Sequence, residues 1–281
     1  MTNVKCFNCH TTNFVSDEVC RFCGVELLPY SEALPSADSR DPTAETIDSI
    51  PPFDCVGDVL GPTLSLFVKN LWVIIKIVFV VVAPYQIFKA LSIGQIKTDW
   101  QLAIGLFFLG QLCGVLIAPA LIYALTKVLE TGKAPGIGES YGWGVSKLGK
   151  LILCATIAWV LEVLGTLLFI IPGIIIALGF SLVYPIAVLE KHSVSETLRR
   201  SREMTRGYRL RIFGAGIVMF IILAVISIPL AFLLPENGPV WQFNVLHGII
   251  SDMLGQLTTV FALVLYLSIL RALGRGQSVI K

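Results

Sequence analysis

Four cysteines near the N-terminus form the pattern with the most specific chemistry. Two Cys-x-x-Cys pairs are separated by ten residues, and they contain Cys6, Cys9, Cys20 and Cys23. Each pair places two sulfurs on one turn, and two such turns supply the tetrahedral sulfur set that Zn²⁺ favours. The spacing predicts a structural zinc site, closed by four ligands and without an open position for catalysis. A redox-active dithiol is the weaker alternative, because neither pair opens a helix after a strand.

This cysteine module resembles the short zinc-ribbon domains found at the ends of many bacterial proteins. The resemblance covers about residues 4–28, and we expect residues 1–28 to need the metal in order to fold. The module carries Lys5 and Arg21 against three acidic residues. Without a basic patch, nucleic acid is not an expected partner.

The composition of the rest of the chain predicts a polytopic membrane protein. The chain has 281 residues, of which 55% are hydrophobic and 14% are charged, whereas soluble domains carry about 25% charged residues. Six apolar segments are long enough to cross about 30 Å of hydrocarbon as helices. They are residues 68–90, 101–128, 150–171, 173–190, 211–234 and 245–270. The predicted fold class is therefore all-α, with about six transmembrane helices and a small N-terminal zinc ribbon.

Further segments complete the predicted organisation. Residues 29–52 are rich in Pro, Ser, Asp and Glu and predict a flexible linker. Residues 53–66 predict an amphipathic helix at the membrane surface, and the six spans lie within residues 67–275. Residues 276–281 are the predicted cytoplasmic tail.

Two glycine-containing stretches within the membrane domain are interpreted as turns or loops. Ile171-Pro172-Gly173 predicts a tight turn between the third and fourth spans, and one long broken helix is the alternative. Residues 136–150 contain several glycines without a strand–turn–helix context, so nucleotide binding is unsupported. We expect this stretch to be an interfacial segment anchored by Tyr141 and Trp143.

The distribution of basic residues predicts the orientation. Eighteen of the 21 Lys and Arg residues fall before the first span, between spans two and three, between spans four and five, or in the tail. The other side holds Lys89 and Lys97, and Lys76 lies within a span. By the positive-inside rule, both termini are expected to be cytoplasmic, in a bacterial inner membrane.

A basic helix is predicted between the fourth and fifth spans. Ser193 and Glu196 have the spacing of a capping box at its start. Four arginines follow, namely Arg199, Arg200, Arg202 and Arg206. They serve either as a positively charged loop that fixes the topology or as a site for anionic lipid headgroups, and both roles are compatible.

Polar side chains at membrane depth are the remaining site candidates. Lys76, Glu162, Asp252 and Gln256 fall within predicted spans, where ionisable groups are costly and usually face other helices or an aqueous cavity. A buried Lys76–Glu162 or Lys76–Asp252 pair would form part of a polar pocket or ion path. Contacts between helices, with Lys76 extending toward the cytosol, are the alternative.

Part of the membrane domain is similar to a known family. The matching residues are Ile171-Pro172-Gly173, Tyr184-Pro185, Glu190, Ser193, Leu198, Arg200-Ser201-Arg202 and Gly207. With the run Val56 to Trp72, they resemble the membrane domain attached to some glycerophosphoryl diester phosphodiesterases and the YciC-like bacterial membrane proteins. The resemblance covers about residues 54–275 and implies a helical membrane domain without a settled activity. Phosphodiesterase activity is not implied, because the chain has three histidines and no soluble stretch long enough for the catalytic barrel.

These observations predict a non-enzymatic integral membrane protein with structural Zn²⁺. The ribbon would recruit an unidentified cytosolic or membrane protein, and the helical domain would organise lipids, anionic ones among them, or other membrane proteins. A transporter or channel-like accessory is the first alternative, and an enzyme acting on lipid is the second. The sequence leaves open whether the chain forms a homo-oligomer.

Overall fold

A computed structural model describes residues 3–5, 12–14, 50–92, 99–233 and 241–273 of the chain. Near the N-terminus, strand β1 (Asn3–Lys5) pairs antiparallel with strand β2 (Thr12–Phe14), so that Lys5 lies opposite Thr12. The predicted zinc ligands lie outside the described residues; they are Cys6, Cys9, Cys20 and Cys23. Most of the predicted linker lies outside them as well.

The described part of the chain contains nine helices. They are α1 (Gly57–Lys69), α2 (Leu71–Leu91), α3 (Trp100–Thr131), α4 (Ile137–Leu168), α5 (Ile170–Phe180), α6 (Val183–Leu189), α7 (Val194–Thr205), α8 (Arg209–Leu233) and α9 (Trp241–Ala272). Six segments are long and apolar enough to cross a membrane: α2, α3, α4, α5 together with α6, α8, and most of α9. The predicted all-α architecture with six candidate spans is confirmed.

The core forms where α3 and α9 meet their neighbours. Helix α3 packs on α4 and α2, while α9 packs on α2 and α1. Leu121 and Leu125 of α3 and Val264 of α9 are fully buried there. Helix α8 is different: Ile212, Ala215 and Met219 are its buried side chains. Its exposed apolar surface is what a bilayer would cover.

The chain enters the membrane domain through a segment whose backbone carbonyls accept hydrogen bonds from side chains of the bundle. Ser268 Oγ donates to the Pro51 carbonyl over 2.6 Å, and Arg211 Nη1 donates to the Phe53 carbonyl over 3.1 Å. Arg271 donates likewise to the Ile50 carbonyl. The predicted flexible linker, residues 29–52, is therefore anchored at its last residues. Helix α1 follows at Gly57, later than the predicted start at residue 53, and packs against α9.

Helix α4 begins thirteen residues before the predicted start of the third span. The glycine-containing stretch at residues 136–150, expected to be an interfacial segment, is almost entirely helical, and Gly144 within it packs closely on α3. A Cβ at Gly144 would lie 3.2 Å from the Ala120 backbone nitrogen. Trp143 stacks on Tyr123 with the ring centroids 5.1 Å apart, and the Tyr141 hydroxyl donates to the Ile77 carbonyl over 2.6 Å.

The connection between α4 and α5 is a single extended residue. Phe169 has φ −160° and ψ 146°, so the turn falls there rather than at Ile171-Pro172-Gly173. Pro172 lies in the first turn of α5, where its missing backbone donor costs no helical hydrogen bond. Gly173 lets the two helices touch, since a Cβ there would lie 2.8 Å from the backbone of Thr166.

The fourth span consists of two short helices. Ser181 and Leu182 separate α5 from α6, and Pro185 follows four residues after Ser181. A proline disfavours helical geometry at the carbonyl four residues before it, which explains the break. The Gly179 carbonyl at the end of α5 accepts a hydrogen bond of 2.8 Å from Ser201 Oγ. This hydrogen bond joins α7 to the end of α5, next to the break.

Candidate functional site

A polar network surrounds Glu190, the residue that follows α6. Its Oε1 accepts a hydrogen bond of 2.7 Å from the Tyr266 hydroxyl, and its Oε2 lies 2.7 Å from His192 Nε2 and forms an ion pair with Arg200. Lys150 Nζ donates to the Glu190 backbone carbonyl over 3.1 Å. We call these five residues the Glu190 network.

The geometry of the Glu190 network is that of a structural junction. The Glu190 side chain is only 12% exposed, and both of its oxygens have protein partners. Buried carboxylates are tolerated when charge and hydrogen bonds compensate them in this way. The network joins the end of the fourth span to α4, α7 and α9.

Helix α7 begins with the predicted capping box. The Glu196 amide donates to Ser193 Oγ over 3.4 Å, and the Glu196 carboxylate accepts from the Ser193 amide over 2.9 Å. The hydrogen bonds from the backbone and hydroxyl of Ser193 lower the pKa of the Glu196 carboxyl. At the other end, Gly207 adopts a φ of +97°, which glycine accommodates without a Cβ clash.

The arginines of α7 separate onto two faces. Arg200 turns inward to Glu190, whereas the Arg199 side chain is 72% exposed and pairs with Glu203 over 3.7 Å. Arg202 and Arg206 are also exposed. The Arg202 guanidinium lies 5.6 Å from the ring centroid of Phe180. Three of the four predicted lipid-binding arginines are therefore exposed, two on α7 and one directly after it.

A second polar centre is a cavity of about 220 Å³ between α2, α3 and α9. Gln86 Nε2 donates to Asp252 Oδ2 over 2.6 Å, and Gln86 is only 5% exposed. Gly248 makes room for this amide, because a Cβ there would overlap it. We call this space the Asp252 cavity.

Further polar groups line the Asp252 cavity. Lys89 contributes a cation from α2, and Gln111 contributes an amide from α3. Gln256 lies one turn after Asp252, and its Oε1 accepts a hydrogen bond of 3.2 Å from Thr259. The cavity thus offers groups of both charges and several amides within one small space.

The structure separates the four predicted intramembrane residues. Asp252 and Gln256 share the cavity. Lys76 is exposed, with its ammonium 5.3 Å from the centroid of the Trp72 ring. Among the described ion pairs, Lys76 joins neither Glu162 nor Asp252. Glu162 is half-buried, and its backbone carbonyl accepts from Thr166 Oγ1 over 2.8 Å.

Comparison with known proteins places the membrane domain in a family. The family model described as "Domain of unknown function (DUF7847)" matches residues 101–273. The chain belongs to this family. A UPF0259 membrane protein of Pectobacterium carotovorum subsp. carotovorum is 25% identical over 151 residues, which cover 54% of this chain and 59% of the relative. No solved structure matches the chain.

These findings confirm the resemblance at the level of a bacterial membrane protein family. They do not extend to the phosphodiesterase-attached domain or to the zinc ribbon. The chain spans 59% of the relative's length, so the relative informs only part of a protein. The matched region begins in α3 and holds the whole Glu190 network, whereas Gln86 and Lys89 of the Asp252 cavity precede it.

The sequence patterns did not mark Glu190 and Gln86 as site residues, although each lies in one of the two polar centres. Glu190 was identified only as part of the family resemblance, and Gln86 was not identified at all. A carboxylate directly after an apolar span and ten residues before Arg200 was a usable signal for the first. Gln86 carried none, because an uncharged amide within a span is compatible with many helix contacts. Within the described ranges, no group of three or more His, Cys, Asp or Glu side chains has the arrangement of a metal site.

Proposed function

We propose that this protein is a non-enzymatic integral membrane protein that binds anionic lipid headgroups through the outward arginines of α7. The observation that carries the proposal is that one arginine of that helix is paired inside the bundle while the others are exposed. Arg200 pairs with Glu190 inside the bundle, whereas Arg199 and Arg202 on α7 and Arg206 directly after it are exposed. Two exposed guanidinium groups on α7 and a third directly after it can engage phosphate oxygens through paired N–H groups.

The position of α7 supports contact with headgroups. The Arg202 guanidinium lies beside Phe180, the last residue of α5, where the fourth span breaks. The asymmetry of Lys and Arg supports a cytoplasmic position for this end of the bundle. Anionic lipid there attracts each basic residue with about 1 kcal/mol. A reporter fused after Lys281 that proved active on the outer side would contradict this orientation.

The proposal includes the N-terminal cysteine module as a recruiting element. Four thiols in two Cys-x-x-Cys pairs suit structural Zn²⁺, and they leave no open position on the metal. Lys5 pairs antiparallel with Thr12, and the segment between these two residues contains the first cysteine pair. A metal-folded module tethered to the membrane domain suits the binding of a protein partner.

Lipid retention by purified protein tests the role of α7. The variant with Arg199, Arg202 and Arg206 changed to Gln is compared with one in which Lys127, Lys133 and Lys147 are changed to Gln. Both lose three positive charges from the same expected side of the membrane. Native mass spectrometry then measures retained phosphatidylglycerol against phosphatidylcholine in mixed micelles.

We expect the arginine variant to bind phosphatidylglycerol about 100-fold more weakly at low salt, because three contributions of about 1 kcal/mol are removed. The lysine variant should stay near the wild type. Equal losses in both variants would reduce the effect to general surface charge and refute the α7 site. Unchanged retention in the arginine variant would refute it as well.

A transporter-like role is the second candidate, and the Asp252 cavity is the observation that favours it. The packing toward the α7 end of the bundle weighs against a continuous path. Ala120, Leu121 and Ile122 of α3 and Val260 and Leu263 of α9 are fully buried apolar residues there. A solute flux that survives loss of the cysteine module and disappears in Asp252→Asn would favour transport over lipid organisation.

A further inference from the structure

The apex of the hairpin formed by α4 and α5 is an exposed apolar surface. Phe169, which connects the two helices, is 73% exposed, and its neighbours Leu167 and Ile171 are 83% and 72% exposed. No Asp, Glu, Lys, Arg or His occurs between Glu162 and Glu190. The chain therefore reverses direction without a polar loop, whereas turns in water are built mainly from polar residues, glycine and proline.

The residue at which the chain turns has both of its backbone groups paired within the hairpin. The Phe169 amide donates to the Gly165 carbonyl over 3.1 Å, and the Phe169 carbonyl accepts from the Gly173 amide over 3.2 Å. Pro172 has no N–H group in the first turn of α5, where a helix leaves donors unpaired. These features suit a turn in hydrocarbon, where an unpaired backbone group has no water to bond.

The other end of α5 is joined to the charged helix α7. Ser201 Oγ donates to the Gly179 carbonyl over 2.8 Å, and the Arg202 guanidinium lies 5.6 Å from the centroid of the Phe180 ring. Arg202 is exposed, and so is Arg206, directly after α7. Exposed guanidinium groups are costly in hydrocarbon, so this end of the hairpin belongs at the level of the lipid headgroups.

The two arms of the hairpin beyond this level are too short to cross a bilayer. Helix α5 has 11 residues and is about 16 Å long. On α4, Ala158 lies in the same buried cluster as Phe180, and the helix ends ten residues later at Leu168, which corresponds to about 15 Å. The hydrocarbon layer is about 30 Å thick. Each arm therefore reaches about the middle of it.

We propose that the α4–α5 hairpin is re-entrant: it enters the bilayer from the side of α7, turns at Phe169 within the hydrocarbon, and returns to the same side. Acyl chains of the leaflet next to α7 cover its apex. Residues Ile171–Leu189 are apolar and long enough for a full span, but the break after Phe180 and the contact with α7 interrupt them at headgroup level.

The re-entrant hairpin leaves the orientation of the chain unchanged. The membrane domain crosses the bilayer through α2, α3, α8 and α9, so both termini stay on the α7 side. The basic residues before α4 and those after α6 are already expected on one side of the membrane. Their distribution is therefore the same whether the hairpin crosses or turns back.

Water accessibility of the apex in membranes tests this arrangement. Phe169→Cys and Asp99→Cys are introduced separately into the full-length protein. Asp99 is the matched control, because it is exposed and ends the connection between the crossing helices α2 and α3. Membranes are opened so that a hydrophilic maleimide reaches both surfaces. Mass spectrometry quantifies the label at each introduced cysteine, before and after unfolding in sodium dodecyl sulfate.

We expect Asp99→Cys to react in the membrane, and Phe169→Cys to react several-fold less there but equally after unfolding. Equal reactivity of the two cysteines in the membrane would overturn the proposal, because a hairpin that crosses the bilayer brings Phe169 to the surface as well. The outcome does not depend on retention of phosphatidylglycerol, so this proposal and the α7 site can fail separately.

A photoreactive side chain identifies what covers the apex. Benzoylphenylalanine at position 169, close in shape to the native Phe169, is illuminated in the membrane, and the adducts are identified by mass spectrometry. We expect adducts with phospholipid acyl chains. Crosslinked dimers in place of lipid adducts would show that a second copy of the chain covers the apex, and the proposal would then be wrong.

Discussion

The hydroxyl of Tyr266 donates a hydrogen bond of 2.7 Å to the carboxylate of Glu190, 76 residues earlier in the chain. Tyr266 is 1% exposed, so this bond joins the interior of α9 to the end of the fourth span. Arg200 pairs with the same carboxylate and sets the rotation of α7. Glu190 thus links α7 and α9 at the end of the fourth span.

Replacing Glu190 with alanine should destabilise the membrane domain strongly. The change leaves Arg200 as a largely buried cation without its carboxylate, and removing one partner of such a pair costs about 3–5 kcal/mol. For a domain of this size, the apparent Tm in detergent should fall by about 10 °C. Thermal unfolding of the purified variant measures this shift.

The matched control is Glu203→Ala. Glu203 also pairs with an arginine, Arg199, but its side chain is 67% exposed against 12% for Glu190. An exposed pair contributes about 1 kcal/mol or less. Equal shifts in the two variants would mean that burial of the Glu190 network contributes nothing to stability.

The sequence predicted the broad architecture because apolar length is a direct consequence of bilayer thickness. Six spans and the capping box at Ser193 follow from local patterns of this kind. The early start of α4 did not follow from a local pattern, because glycine is unfavourable in a helix unless a close contact with a neighbouring helix compensates for it. Gly144 against Ala120 is such a contact, and it depends on tertiary structure.

The candidate sites were predictable only where a charge broke an apolar pattern. Asp252 was identified in this way, and the structure gives it a cavity. Its partner Gln86 was missed, because the two residues are 166 positions apart in the chain and no local signal encodes their pairing. The contact of Lys76 could not be predicted from local sequence either. Its expected partners were Glu162 and Asp252, whereas its ammonium lies over the ring of Trp72.

Gly173→Ala should weaken the hairpin of α4 and α5. The added Cβ would lie 2.8 Å from the Thr166 backbone, so the helices must separate, and overpacking of this kind costs about 1–3 kcal/mol. Gly149→Ala on α4 is the control, because its Cβ meets nothing within 4 Å and alanine favours the helix by up to about 1 kcal/mol. Thermal unfolding should therefore move in opposite directions. A Gly173→Ala protein as stable as Gly149→Ala would contradict the close approach.

The start of α7 should depend on pH through Glu196. The hydrogen bonds from Ser193 lower the pKa of this carboxyl in the folded protein, below its ordinary value of 4.5. Its contribution is therefore fully present above the unfolded pKa and is lost as the pH falls through the folded pKa. The difference in Tm between wild type and Glu196→Gln should be constant near neutral pH and shrink on acidification through that window.

Two controls separate the cap from general charge effects at α7. Glu203→Gln removes a carboxylate from the same helix without touching the cap, so it should not reproduce the pH profile. Ser193→Ala removes the hydroxyl partner and should cost about 0.5–2 kcal/mol at neutral pH. A Glu196→Gln difference that grows on acidification would contradict the direction of the pKa shift.

Removal of metal should affect the N-terminal module and spare the bundle. If Cys6, Cys9, Cys20 and Cys23 bind Zn²⁺, the purified chain should contain one zinc per molecule, and Cys20→Ser with Cys23→Ser should lose it. The helical domain has its own core and its own polar junction at Glu190, so its Tm should remain within about 1 °C of the wild type. Cys55→Ser with Cys113→Ser is the control that removes two thiols outside the motif.

Elemental analysis and mass spectrometry of copurified proteins then decide the role of the module. A protein partner that disappears together with zinc supports recruitment, whereas full zinc content in the Cys20 and Cys23 variant contradicts the site.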